Sequence, residues 1–151
     1  MQNLELLSRA ELLKLAPAAK ELQIRRERSR HESRGGLIEF IRYFWDVLEP
    51  QTPFVEGWPL RAITSHLESV THGEVNRLII AVFPGAMKSL TTDVFWPAWE
   101  WGAMNMPHHR YVAFSYSATL TERDNGRFRD LILSKKYQDM YGSRFRLANV
   151  G

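Results

Sequence analysis

Apolar residues recur along this chain with two different periods, and the change of period divides it. Leu37, Phe40, Ile41, Phe44 and Leu48 stand three and four apart, one face of a helix that Pro50 closes. Leu60, Ile63, Leu67 and Val70 repeat the spacing, with Pro59 suited to a first helical turn. Gln51 to Trp58 between them reads as loop. The helical period then stops. Leu78 to Val82 is an unbroken apolar run rich in β-branched residues, the pattern of a strand buried on both faces of a sheet. Pro84-Gly85 turns the chain, and a helix is expected from Ser89 to about Gly102, kinked or cut short at Pro97. Arg110 to Ser115 reads as a second strand. Strand, helix and strand over about 40 residues predict a βαβ unit with parallel strands and a right-handed crossover. A third helix is expected near Ser117 or Thr119, where Thr119-x-x-Glu122 offers a capping box, and Ser134 to Gly142 adds one or two helical turns. Phe145 and Leu147 hint at a further strand.

Towards the N-terminus, Ser8-Arg9-Ala10-Glu11 reads as a capping box, followed by Leu12, Leu13 and Leu15. Pro17 either kinks this helix or starts another. Arg25 to Arg34 holds five arginines and two glutamates before Gly35-Gly36 ends the segment. Such a run is ordinarily a solvated helix face; the other use is contact with DNA phosphates or an acidic partner. The pattern divides the chain into a helical arm over 1–36, a helical segment over 37–75 that flanks the candidate site, and an α/β core over 76–151.

The candidate chemistry lies where the first strand gives way to its helix. Strand, tight turn, Lys88-Ser89 and helix is the layout of a phosphate-binding loop. A helix start leaves its first N–H groups unpaired and carries partial positive charge, and a tight loop before it adds further amides. Lys88 would reach the β- and γ-phosphates, and the Ser89 hydroxyl would serve Mg²⁺ as a hard oxygen ligand. The ordinary pattern G-x-x-x-x-G-K-[ST] is incomplete: Val82 and Met87 stand where its two glycines belong, and only Gly85 lies inside the loop. The residues alone leave two readings open, a phosphate loop or an ordinary βα turn with a surface lysine.

Composition narrows the classes. The chain's 151 residues suffice for a domain with a real core. A formal charge of +3 permits a polyanionic partner without demanding one. Without cysteine there is no disulfide framework and no thiolate-bound metal. No apolar run approaches the roughly 20 residues of a membrane span, and Met1 to Glu5 lacks the pattern of a signal peptide. Trp96, Trp99 and Trp101 read as packing residues. His66 and His72 have no partner at metal-binding spacing, and the adjacent His108 and His109 point in different directions.

Trp58 through Gly142 resembles the N-terminal ATPase region of tailed-bacteriophage terminase large subunits, the motors that pump DNA into a procapsid. The likeness is carried by Gly57-Trp58 with Leu67-Glu68, by Phe83-Pro84-Gly85-Ala86-Met87-Lys88-Ser89-Leu90, by Phe95-Trp96-Pro97-Ala98-Trp99-Glu100-Trp101-Gly102, and by Ser115-Tyr116-Ser117 with Leu120-Thr121, Arg123-Asp124-Asn125 and Arg129-Asp130-Leu131-Ile132. One branch of that family has a loop of the type Pro-Pro-Gly-x-Met-Lys-Ser, in which Met87 is expected and Phe83 replaces a proline.

The resemblance implies a three-layer core of the P-loop NTPase type with parallel strands, preceded by the helical segment. It implies ATP and Mg²⁺ bound by Pro84, Gly85, Ala86, Met87, Lys88, Ser89 and Leu90, with Lys88 neutralising charge and Ser89 holding the metal. It implies an arginine on the third helix that reaches a neighbouring subunit's nucleotide, best matched by Arg129 and next by Arg127, because a guanidinium at the γ-phosphate stabilises charge developing in the transition state. Helices near Trp58 would flank the adenine. Partners implied are double-stranded DNA, further copies in a ring, the portal and the small terminase subunit, at the procapsid in the bacterial host cytoplasm and not in the mature virion.

The family also needs an acidic pair on a further strand and a nuclease domain. No aspartate or glutamate follows Gly142, so the expectation is an N-terminal fragment with an incomplete sheet, inactive alone. The alternative is a non-catalytic module that binds DNA, the portal or the small subunit and keeps the loop as a relic.

Overall fold

The computed structural model describes residues 9–147, with side chains from Ala16 onward. Its elements are α1 (Arg9–Glu32), α2 (Gly36–Leu48), α3 (Trp58–Thr71), a π-helical turn (Leu90–Phe95) that runs into α4 (Trp96–Gly102), α5 (Ala118–Leu133) and α6 (Lys135–Tyr141). The capping box at Ser8 involves a residue outside those described. Pro17 lies inside α1.

The second helix is the hub. Its apolar stripe sends Leu37, Phe40, Ile41, Phe44 and Trp45 into the interior, and it touches α1, α3, α4, α5, α6 and the π-helical turn. Each such side chain contributes about 2 kcal/mol on leaving water. Neither Gly35 at its N-cap nor Gly36 at its first position can cap α2 with a side chain. Glu68 of α3 does so instead: its carboxylate accepts the Gly35 N–H at 2.8 Å and the Leu37 N–H at 2.9 Å. One buried carboxylate therefore satisfies two orphan donors and meets the positive end of the dipole.

The C-terminal helix closes the other side. Tyr137 and Tyr141 are buried, and the Tyr137 hydroxyl donates to the Ala98 carbonyl at 2.7 Å. Gly102 is what lets them approach: a Cβ there would stand 2.6 Å from the Tyr137 hydroxyl oxygen and 2.8 Å from the Tyr141 ring. Phe145 packs edge-on to Trp101. Neither it nor Leu147 belongs to a strand.

The expected α/β core with parallel strands is not what forms: among the described residues there is no strand, no sheet and hence no βαβ unit. Leu78 to Val82 keeps the two-residue alternation of an extended chain, with Leu78, Ile80 and Val82 half-buried and Ile79 94% exposed. It covers the helices with one face rather than lying buried on both. Val112 and Phe114 of the second segment, and Tyr116 just beyond it, also stand in solvent. Neither segment makes a backbone hydrogen bond to the other. A strand exists only through a neighbour that takes up its N–H and C=O groups, and these two segments have none among the described residues. A three-layer core of the P-loop type requires that sheet and is corrected with it.

Two helix ends fall where expected, near Ser117 and at Gly102, but one cap and one turn differ in form. The third helix starts at Ala118 with Ser117 as its N-cap, which places Thr119 and Glu122 inside it. The helix after Ser89 meets Pro97 by widening rather than stopping. Proline has no N–H to donate and would crowd the carbonyl four residues back. The Trp96 N–H reaches back five residues to Thr91, which opens the turn just ahead of the ring.

Candidate phosphate site

The loop from Phe83 to Leu90 is held at both ends. Leu90 and Thr91 are buried at its helical side. The Ala86 N–H closes a turn onto the Phe83 carbonyl at 3.3 Å. Gly85 adopts φ +89° and Met87 φ +59°, both left-handed. Met87 thus takes the backbone geometry for which the common motif employs glycine at that position.

Beyond Met87 the chain enters a helix, Ser89 having φ −61° and ψ −43°. The Thr91 N–H and hydroxyl both donate to the Met87 carbonyl, at 2.9 and 2.8 Å, and the Thr92 hydroxyl donates to the Lys88 carbonyl at 3.0 Å. The carbonyls are therefore occupied, while the Gly85, Met87, Lys88 and Ser89 amides donate no backbone hydrogen bond among the described residues. Lys88 and Ser89 are exposed, and Lys88 forms no ion pair among the described residues.

Two cavities meet at these residues. One, about 570 Å³, is lined by the loop from Val82 to Leu90, by Trp45 and Glu49 of α2, and by Arg123 and Arg127 of α5. The other, about 540 Å³, shares Lys88, Ser89 and Arg123 with it and adds Asp93, Asp124 and the two non-helical segments. Arg123 bonds its neighbour Asp124 at 2.8 Å, and Arg127 bonds Glu49 at 3.0 Å. The Asp93 carboxyl is raised above the usual carboxylate range, first by burial; the Thr92 hydroxyl opposes this, the Asp124 charge adds to it and Lys88 opposes it again.

The structure thus brings Pro84, Gly85, Ala86, Met87, Lys88, Ser89 and Leu90 to one cavity and adds Arg127. Arg129 is exposed and lines neither cavity. Residues 123 and 127 are one helical turn apart on one face, whereas 129 is rotated about 200° from 127. Arg123 and Asp124, quoted above only as carriers of the resemblance, join the site, as do Glu49 and Asp93, which were not singled out. The four-residue spacing of Arg123 and Arg127 could have revealed the first. Trp58 is exposed at the start of α3 and does not line the loop cavity, where Trp45 stands.

The loop suits a polyanion: one cavity is lined by residues whose amides donate no backbone hydrogen bond among the described residues, by the Lys88 ammonium and by two guanidiniums. For Mg²⁺ the Ser89 hydroxyl is a suitable oxygen, but no group of three or more His, Asp or Glu side chains could hold a metal among the described residues. His109 instead sits 3.1 Å from the buried carboxylate of Glu100, which also accepts the Thr71 hydroxyl at 2.6 Å and the Tyr111 hydroxyl. This network pins the 103–111 loop. In the arginine-rich stretch, Arg25 pairs with Glu21, Arg30 with Glu27, and Arg28 bonds the Met140 carbonyl. No helix among the described residues is long and apolar enough to cross a membrane. The chain matches no protein-family model, no curated protein and no solved structure.

Proposed function

We propose that this chain supplies the phosphate-binding part of an ATP-hydrolysing motor of the terminase large-subunit type, which drives double-stranded DNA into a procapsid. The observation that carries the reading is the loop cavity, lined by Lys88, Arg123, Arg127 and residues whose amides donate no backbone hydrogen bond among the described residues. The reading rests on that loop and on the helix it opens, and on no sheet.

Lys88 and the loop amides would hold the β- and γ-phosphates, and Ser89 would give its hydroxyl to Mg²⁺. ATP would supply the phosphoanhydride whose cleavage powers translocation. Arg129, on the solvent side of α5, would be available to a neighbouring copy in a ring. The portal and the small terminase subunit are the further partners of this reading, in the host cytoplasm.

Binding of a fluorescent ATP analogue with and without Mg²⁺ tests it. Wild-type chain should bind, and Lys88→Ala should weaken binding at least tenfold, the loss of about 1.4 kcal/mol. Unchanged affinity in Lys88→Ala would refute the role given to the lysine. DNA binding that falls steeply with salt, without any nucleotide signal, would favour a non-catalytic DNA-binding module.

A further inference from the structure

The loop cavity contains a carboxylate, which an anion site would be expected to exclude. Glu49 lines it from the end of α2, and its partner there is Arg127, 78 residues away on α5. Arg123 is different, because it is satisfied by the adjacent Asp124. Among the described residues, only the Glu49–Arg127 pair spans the cavity between two elements. Its side chains are 28% and 35% exposed, so solvent screens it and the pair contributes little to stability. A phosphate offers the same guanidinium a doubly charged, bidentate acceptor.

We infer that the Glu49–Arg127 pair is a gate in cis: a polyphosphate seated on the loop takes Arg127 from Glu49, and Glu49 opposes binding until it does. The inference rests on the phosphate-loop reading and adds to it a ligand and an antagonist within one chain. Glu49 also ends α2, its N–H bonding the Trp45 carbonyl at 2.9 Å. Occupancy of the loop is thereby coupled to the end of the central helix.

Calorimetric titration with two probes, tripolyphosphate and ATP, decides the matter on the full chain. Glu49→Gln should bind tripolyphosphate about three- to fivefold more tightly, the release of a screened pair worth under about 1 kcal/mol. Arg127→Gln should bind it about tenfold more weakly, and Arg127→Lys should fall between Arg127→Gln and wild type, keeping charge but not the fork. In the double variant Glu49→Gln with Arg127→Gln, most of the Glu49 gain should vanish. Asp46→Asn removes a charge one turn earlier, from a residue that pairs with Lys136 instead; its affinity should stay within about twofold of wild type.

If Glu49→Gln changes nothing while Lys88→Ala abolishes binding, the gate is overturned and the phosphate loop stands. Equal tightening by Asp46→Asn overturns the gate as a general charge effect. If wild type and Lys88→Ala both ignore the two probes, gate and loop fall together. Thermal melts of each variant, unchanged by more than a few degrees, assign these effects to binding rather than to loss of fold.

Discussion

His31 is fully buried among Phe40, Tyr43 and Phe44, with Nδ1 2.6 Å from the Tyr141 hydroxyl and Nε2 without a partner among the described residues. Burial, then the charges of Arg30 and Lys136, lower its pKa from 6.5 to about 4. The unfolded chain therefore binds the proton first as acid is added. Stability attributable to His31 is complete above pH 6.5 and is lost as pH falls towards 4. The loss is about 3 kcal/mol by linkage. Urea midpoints measured across that range should show the slope, and His31→Phe should flatten it. Met87 makes a second prediction at this scale. Its left-handed φ disfavours any side chain and β-branched ones most. Met87→Val should cost about 1–2 kcal/mol, whereas Met87→Gly should be close to neutral in chemical denaturation. Gly85, also left-handed, should tolerate alanine no better than Met87 tolerates valine.

Among the elements, α2 depends on a cap it does not carry. Glu68→Ala removes acceptors for two amides and should destabilise the chain by about 2–3 kcal/mol, read from the urea midpoint. The stripe of α2 was legible from Leu37, Phe40, Ile41 and Phe44 because helical burial is written in a local period. The cap was not, because Glu68 lies 31 residues from the Leu37 amide it accepts. Leu78 to Val82 failed as a strand for the complementary reason: its composition is local, but pairing is a property of a neighbour. The loop fared between the two. Lys88-Ser89 announced it, and the left-handed Met87 shows how it turns without the glycine. The opposing wall came from Glu49 and Arg127, brought together only by the packing of α2 against α5.

For the whole molecule, the absence of strand pairing among the described residues leaves apolar surface in water. Ile79, Phe114 and Tyr116 are each more than nine-tenths exposed. Unpaired backbone flanked by such residues invites association between copies. Ile79→Lys and Phe114→Lys should each lower light scattering at high protein concentration. Neither should change the unfolding free energy by more than about 0.5 kcal/mol, since both side chains are on the surface.

The widened turn ahead of Pro97 fixes an angle. An ordinary helix advances about 100° per residue, so the additional residue between Leu90 and Phe95 sets the azimuth of Lys88 against the tryptophans below it. Deleting a single residue from that turn would spin the lysine about a quarter-circle off its aim while Val94 and Trp99 stayed seated. The proline in the helix thus acts as an alignment pin for a side chain nine positions upstream.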